Sequence, residues 1–119
     1  IEALQRETAG KKVLVVASVD FAHVGPNFGD SFNMDAARRA ALKTSDENLM
    51  TAIKKGDAAD FYGQIAAVQD RHRICGFSSI YLLLRCLENV SGGLTVAYDH
   101  CPADDENNSL VSIGGMLLD

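Results

Sequence analysis

Asp20 and His23 stand three residues apart directly after an apolar run, and Cys75 lies much further along between Ile74 and Gly76. A carboxylate can orient an imidazole, and either group alone can serve as acid, base or metal ligand. The other open reading has Asp20 capping a turn through the backbone and His23 as a partly buried, satisfied ring. Cys75 precedes a leucine-rich stretch that reads as helix, with Arg71 and Arg73 close by. A thiol at a helix N-terminus near arginines suits a metal ligand or a nucleophile, and Gly76 lets backbone or ligand come close. The plain alternative is a small buried hydrophobe, a common role of cysteine. Cys86, inside the apolar helix, reads that way.

The remaining candidates point less sharply. His72, flanked by two arginines, offers an anion site or a solvated helix-end cluster. His100 and Cys101 are adjacent, and adjacent residues of a strand face opposite sides, so a shared ion is not expected there. The acidic loop 102–108 has neither the ligand spacing nor the glycine of a calcium loop. No phosphate loop, GxGxxG or GxSxG motif occurs, which removes the simplest nucleotide and serine-hydrolase readings.

These groups need elements to hold them. The first residues read as the tail of a helix stopped at Gly10. Val13-Leu14-Val15-Val16-Ala17-Ser18-Val19 is apolar without alternation, as expected of a strand covered on both faces within a mainly parallel sheet. The aromatic- and glycine-containing stretch 20–33 is then a loop at the carboxyl end of that strand, where α/β sheets bind ligands. Met34 to Lys43 reads as helix. Thr44 with Glu47 reads as a capping box opening a second one, which stops at Gly56. Asp57 caps a third, with Phe61, Ile65 and Val68 on one side. Phe77 to Asn89 reads as a central, buried helix. Leu94–Tyr98 and Leu110–Leu118 are strands on either side of the acidic loop.

Strands and helices in this order predict an α/β layered fold. Three strands are few for such a sheet. The 119 residues are therefore expected to form a single partial domain, the C-terminal part of a larger one.

Composition bounds the partners. Hydrophobic residues make up 47% of the chain and charged ones 23%, a globular balance that excludes disorder. The net charge of −5 fits poorly with binding a phosphate backbone, so no nucleic acid is expected. No apolar run reaches the roughly 18 residues of a membrane span, so no membrane partner is expected. Three cysteines without regular spacing read as reduced thiols, hence a cytoplasmic protein. A sheet edge left unpaired would invite a homo-oligomer.

The string Val15-Val16-Ala17-Ser18-Val19-Asp20-Phe21-Ala22-His23-Val24-Gly25, then Ile74-Cys75-Gly76, then Tyr98 and the tail Ser109-Leu110-Val111-Ser112-Ile113-Gly114-Gly115, resembles the Memo family. Its bacterial and archaeal members are called AmmeMemoRadiSam system protein B. The likeness runs over residues 11–118 in order. That family is similar in fold to the class III extradiol dioxygenases, non-haem iron enzymes with an α/β/α sandwich, so the resemblance implies an α/β/α sandwich with a mixed central sheet. The resemblance implies that Cys75 is a metal ligand for iron or copper and that Asp20 and His23 form the catalytic pair beside it, with His23 as general base. It also implies two further histidine ligands from an N-terminal half, which none of the three histidines here matches. Phe77-Ser78-Ser79, Val24 and Ile113 depart from the residues common in relatives. The expected function is a Memo-like protein with a dioxygenase-like metal pocket and metal-dependent redox or oxygenase activity. Its alternative is a non-catalytic module that uses the vestigial pocket to bind a peptide or small-molecule ligand. The chain on its own is expected to hold the metal weakly or not at all.

Overall fold

A computed structural model describes residues 1–87 and 89–119. Helix α1 (Glu2–Thr8) ends, as its sequence predicts, just before Gly10, which takes a φ of +71°. Beyond it the chain diverges from expectation. Residues 13–19 form no strand and pair with none among those described, and Leu14 and Val16 are 87% and 70% exposed. A strand buried on both faces needs hydrogen-bonded neighbours and a layer on each side. The described sheet supplies no neighbour at that position. The run instead lines a cavity of about 430 Å³, facing Ile80 and Leu83 and the end of the last strand at Met116 and Leu118.

The sheet has three strands in the order β1-β3-β2, with β1 at His23–Val24, β2 at Gly93–Pro102 and β3 at Leu110–Leu118. Both pairings are antiparallel. The α/β class stands, while the sheet expected to be mixed is antiparallel among the described residues. Its one long pairing is a hairpin, which closes through a short local loop and requires no crossover. β2 runs on past Tyr98 to Pro102, with a bulge between Thr95 and Ala97. The hairpin loop is tied by Asp104, whose carboxylate accepts from the Asn108 amide at 2.7 Å, and by Asn107 at a φ of +57°.

Helix α2 (Ala36–Lys54) is one continuous helix where two were expected. The Asp35 carboxylate caps it by accepting from the Arg38 amide at 2.8 Å. Thr44 is no cap. Its hydroxyl donates back to the Ala40 carbonyl at 3.2 Å, the usual bond of a threonine inside a helix. Neither glycine nor proline separates the two segments, so nothing stops propagation. Leu42, Leu49, Met50 and Ile53 give α2 its buried stripe.

Helix α3 (Ala58–Ala67) starts as predicted, with the Asp57 carboxylate accepting from the Asp60 amide at 2.9 Å and with Phe61 and Ile65 buried. Helix α4 (Phe77–Cys86) is shorter than the stretch to Asn89 and less enclosed than its composition suggests. Glu88 within that stretch lies outside the described residues. Ile80 and Leu84 are buried, but Leu82 is half exposed. Helix α2 packs on α3 and β2, and α3 packs on α4. The accessible surface is 7406 Å², against roughly 6,300 Å² for a compact chain of this mass. The exposed α1 and the 13–16 run contribute to that excess.

Candidate metal and acid–base site

The segment 20–25 is held from three directions. On one side, the Phe21 amide donates to the Ser112 carbonyl and the Ser112 amide to the Ala22 carbonyl, both at 2.9 Å, so the segment extends β1 beside β3. On the other, the Cys75 amide donates to the Phe21 carbonyl at 3.3 Å and the Gly76 amide to the Asp20 carbonyl at 3.0 Å. From behind, the His23 amide donates to the His72 carbonyl at 2.8 Å. Asp20 and Cys75 are 55 positions apart in the chain, yet these ladders make them neighbours.

Asp20, His23 and Cys75 each offer one ligand atom, and the three atoms all lie within 4.8 Å of one another. His23 Nε2 is 3.9 Å from Asp20 Oδ2, and the Cys75 thiol donates to the Asp20 carbonyl at 3.6 Å. Asp20 and Cys75 are exposed and His23 is half-buried. His23 Nδ1 is 3.3 Å from the Phe21 carbonyl. A carbonyl only accepts, so this contact requires a ring proton on Nδ1, and in the neutral ring of that tautomer Nε2 carries the lone pair and faces Asp20. Phe28 meets the ring edge-on, with centroids 5.2 Å apart, and fixes its plane. Ligand atoms around a transition metal lie closer together than 4.8 Å, since each bond is about 2.0–2.3 Å. A modest inward movement of exposed side chains would close the set. Oxygen, nitrogen and sulfur donors in one cluster fit a transition metal.

Arg73 locks the loop from outside. Its guanidinium donates to Asp30 Oδ1 at 2.9 Å and to the His23 carbonyl at 3.2 Å, while Asp30 Oδ2 accepts from the Gly25 amide at 2.8 Å. The Arg73 hydrogen bond holds the Asp30 carboxyl below the usual carboxylate range. A lowered folded pKa adds stability that is complete above the ordinary value and is lost as pH falls through the folded one. Arg73→Met is expected to cost about 1 kcal/mol at neutral pH. It is also expected to flatten the loss of stability in strong acid, as read from urea midpoints at neutral and acidic pH.

Of the readings of the other histidines, one is corrected and one holds. The His72 ring is not part of a solvated cluster: it is half-buried, and burial lowers its pKa, with Arg71 adding to the effect. His100 and Cys101 do part, as strand geometry requires, and His100 turns to Tyr98, whose hydroxyl lies 2.8 Å from Nε2. That hydroxyl donates to Asp46 Oδ2 at 2.7 Å. Asp46 has no exposed surface and its Oδ1 has no hydrogen-bond partner among the described residues. Burial pushes its carboxyl up, opposed by Ser112 and Tyr98. The sequence alone assigns Asp46 no role beyond lying between Thr44 and Glu47 of the expected capping box. The available signal was its spacing: an aspartate four after Leu42 and three before Leu49 sits on an apolar stripe.

The Memo-like protein family matches the sequence over residues 1–117. A MEMO1 family protein from Aquifex aeolicus (strain VF5) is 32% identical over 110 residues, which make up 88% of this chain and 27% of that protein. The chain thus spans about a quarter of the length of the curated relative it matches.

Proposed function

The chain belongs to the Memo-like protein family, and within it we propose that residues 20–23 and 75 form part of a dioxygenase-like metal pocket. The observation that carries this reading is the meeting of a carboxylate, an imidazole and a thiol within 4.8 Å. Cys75 would hold an iron or copper ion, with Asp20 and His23 beside it as the acid–base pair. When bound, such an ion would supply redox chemistry. His23 would take a substrate proton at Nε2, because Nδ1 is occupied by the Phe21 carbonyl. Asp20, facing Nε2, would stabilise the imidazolium that results. The ligand is a small molecule or peptide small enough to reach this exposed cluster.

The same proposal treats the chain as the C-terminal part of a larger domain whose other part completes the ligand set. In keeping with unpaired Cys75, Cys86 and Cys101, it places the protein in the reducing cytoplasm. No helix among the described residues is long and apolar enough to cross a membrane.

Anaerobic titration of this chain with Fe²⁺, and with Cu⁺ against a competing chelator, tests the division of ligands. Weak binding that disappears in Cys75→Ala is the expected result. Tight stoichiometric binding by this chain alone would show that it needs no partner ligands. Binding unchanged by Cys75→Ala would remove the thiol from the site. Oxygen uptake by the full-length protein with iron and a catechol-type substrate then tests the activity. Binding of an organic ligand that survives both chelator and Cys75→Ala would favour the non-catalytic module.

A further inference from the structure

Asp46 is hard to explain as part of the fold alone. A carboxyl with no exposed surface and one unpaired oxygen destabilises a core, and a leucine on the same stripe of α2 would pack without that penalty. Its one hydrogen bond leads away from the helix, through the Tyr98 hydroxyl, into the hairpin. There His100 stands directly opposite Ser112, and Tyr98 opposite Gly114. Tyr98, His100, Ser112 and Gly114 therefore share one face of β2 and β3.

Ser112 is itself fully buried and is the main anchor of the catalytic segment. Besides its two backbone bonds to Phe21 and Ala22, its Oγ accepts from the Ala22 amide at 2.9 Å. Phe21 and Ala22 are the two residues between Asp20 and His23. A hydroxyl has a single proton, and for Oγ to accept from Ala22 that proton must point elsewhere. On the shared face the polar side chains beside Ser112 are His100, directly opposite, and Tyr98, diagonally across, the latter bonded to Asp46. Gly114 completes the fit: a Cβ there would come within 2.6 Å of the Phe21 ring.

We infer that Asp46 is a positioning residue for the Asp20–His23–Cys75 site, acting through Tyr98 and Ser112 on the Phe21–Ala22 backbone. What the site does rests on the metal-pocket reading above; the mechanical link does not. The charged and titratable groups that face Asp46 are Tyr98 from β2 with His100 behind it, and His72 from the turn before α4.

Amide hydrogen exchange resolved by NMR tests the link on the chain as it stands. In Asp46→Leu, exchange at the Ala22 amide is expected to accelerate about fivefold, as for one weakened buried hydrogen bond. Exchange at the amides of α3 and the urea midpoint should hold or improve. Asp46→Asn keeps an oxygen for the Tyr98 hydroxyl and should restore the slow rate. Should Asp46→Leu fail to fold, Tyr98→Phe breaks the same link with Asp46 and Ser112 both in place, and the same acceleration is expected. An unchanged Ala22 rate in the folded variant, or a uniform acceleration across the core, overturns the inference. Fe²⁺ titration of the wild-type chain reports separately on the pocket, so the two ideas can fail independently.

Discussion

Replacing Gly25 with alanine is expected to destabilise the protein by about 4 kcal/mol, the sum of backbone strain and overpacking. Gly25 has a φ of +109° and a ψ of −179°, a conformation that side-chain-bearing residues scarcely adopt. A Cβ built there would lie 2.5 Å from Ser109 Cα and 2.7 Å from the Asn108 carbonyl oxygen. Both are backbone atoms. They cannot retreat easily, because Leu110 pairs with Val24 and the Ser109 carbonyl accepts from Ala103 at 2.9 Å. The Gly25 carbonyl also accepts from Phe28, and its amide donates to Asp30, so a shift would loosen the loop that carries the His23–Phe28 contact. Gly29 is the control. It too has a positive φ, +91°, but nothing lies within 4 Å of its Cβ position. Gly29→Ala should cost about 1 kcal/mol, the strain alone. Urea denaturation of both variants checks the contrast, and equal losses would show that crowding against Ser109 plays no part.

Gly76→Ala is expected to cost about 2–3 kcal/mol through overpacking and, beyond that, to dismantle the site. A Cβ on residue 76 would lie 2.6 Å from the Asp20 carbonyl oxygen, 2.7 Å from Val19 Cγ2 and 3.0 Å from Ile80 Cδ1. The backbone of Gly76 has ordinary helical angles, φ −72° and ψ −4°, so the effect is steric and not conformational. The Asp20 carbonyl accepts from both the Gly76 amide and the Cys75 thiol. Pushing it away separates the sulfur from the carboxylate and imidazole. The expected signature is loss of metal binding larger than the loss of stability explains. Measured in stabilising osmolyte, where the variant is folded, Fe²⁺ affinity should stay weakened. Recovery of wild-type affinity there would mean that Gly76 serves folding alone.

Much of this could be read along the chain, because the signals were local. Asp57 as cap, Gly10 as helix stop and Leu110–Leu118 as strand follow from side chains acting on backbone a few residues away. Asp20, His23 and Cys75 stood out by residue type and by likeness to a family, and the fold brings them together. Signals that depend on distant partners read less well. Thr44 and Glu47 have the spacing of a capping box, yet a continuous α2 leaves no helix end for them to cap. Val13–Val19 has the composition of a central strand but no strand beside it among the described residues.

Residue chemistry by itself determined which groups could react and which short segments would form helix or strand, since both depend on neighbours in sequence. The tertiary structure decided which groups meet. Ladders from Ser112 and from Cys75–Gly76 clamp the Asp20–Ala22 segment, and only there do a thiol and an imidazole 52 positions apart come into range. It also decided that Asp46, unremarkable by type, is the carboxyl sealed in the core. Its place on the Leu42–Leu49 stripe is a spacing signal, but the seal over it and the hydrogen bond from Tyr98 belong to the packed chain.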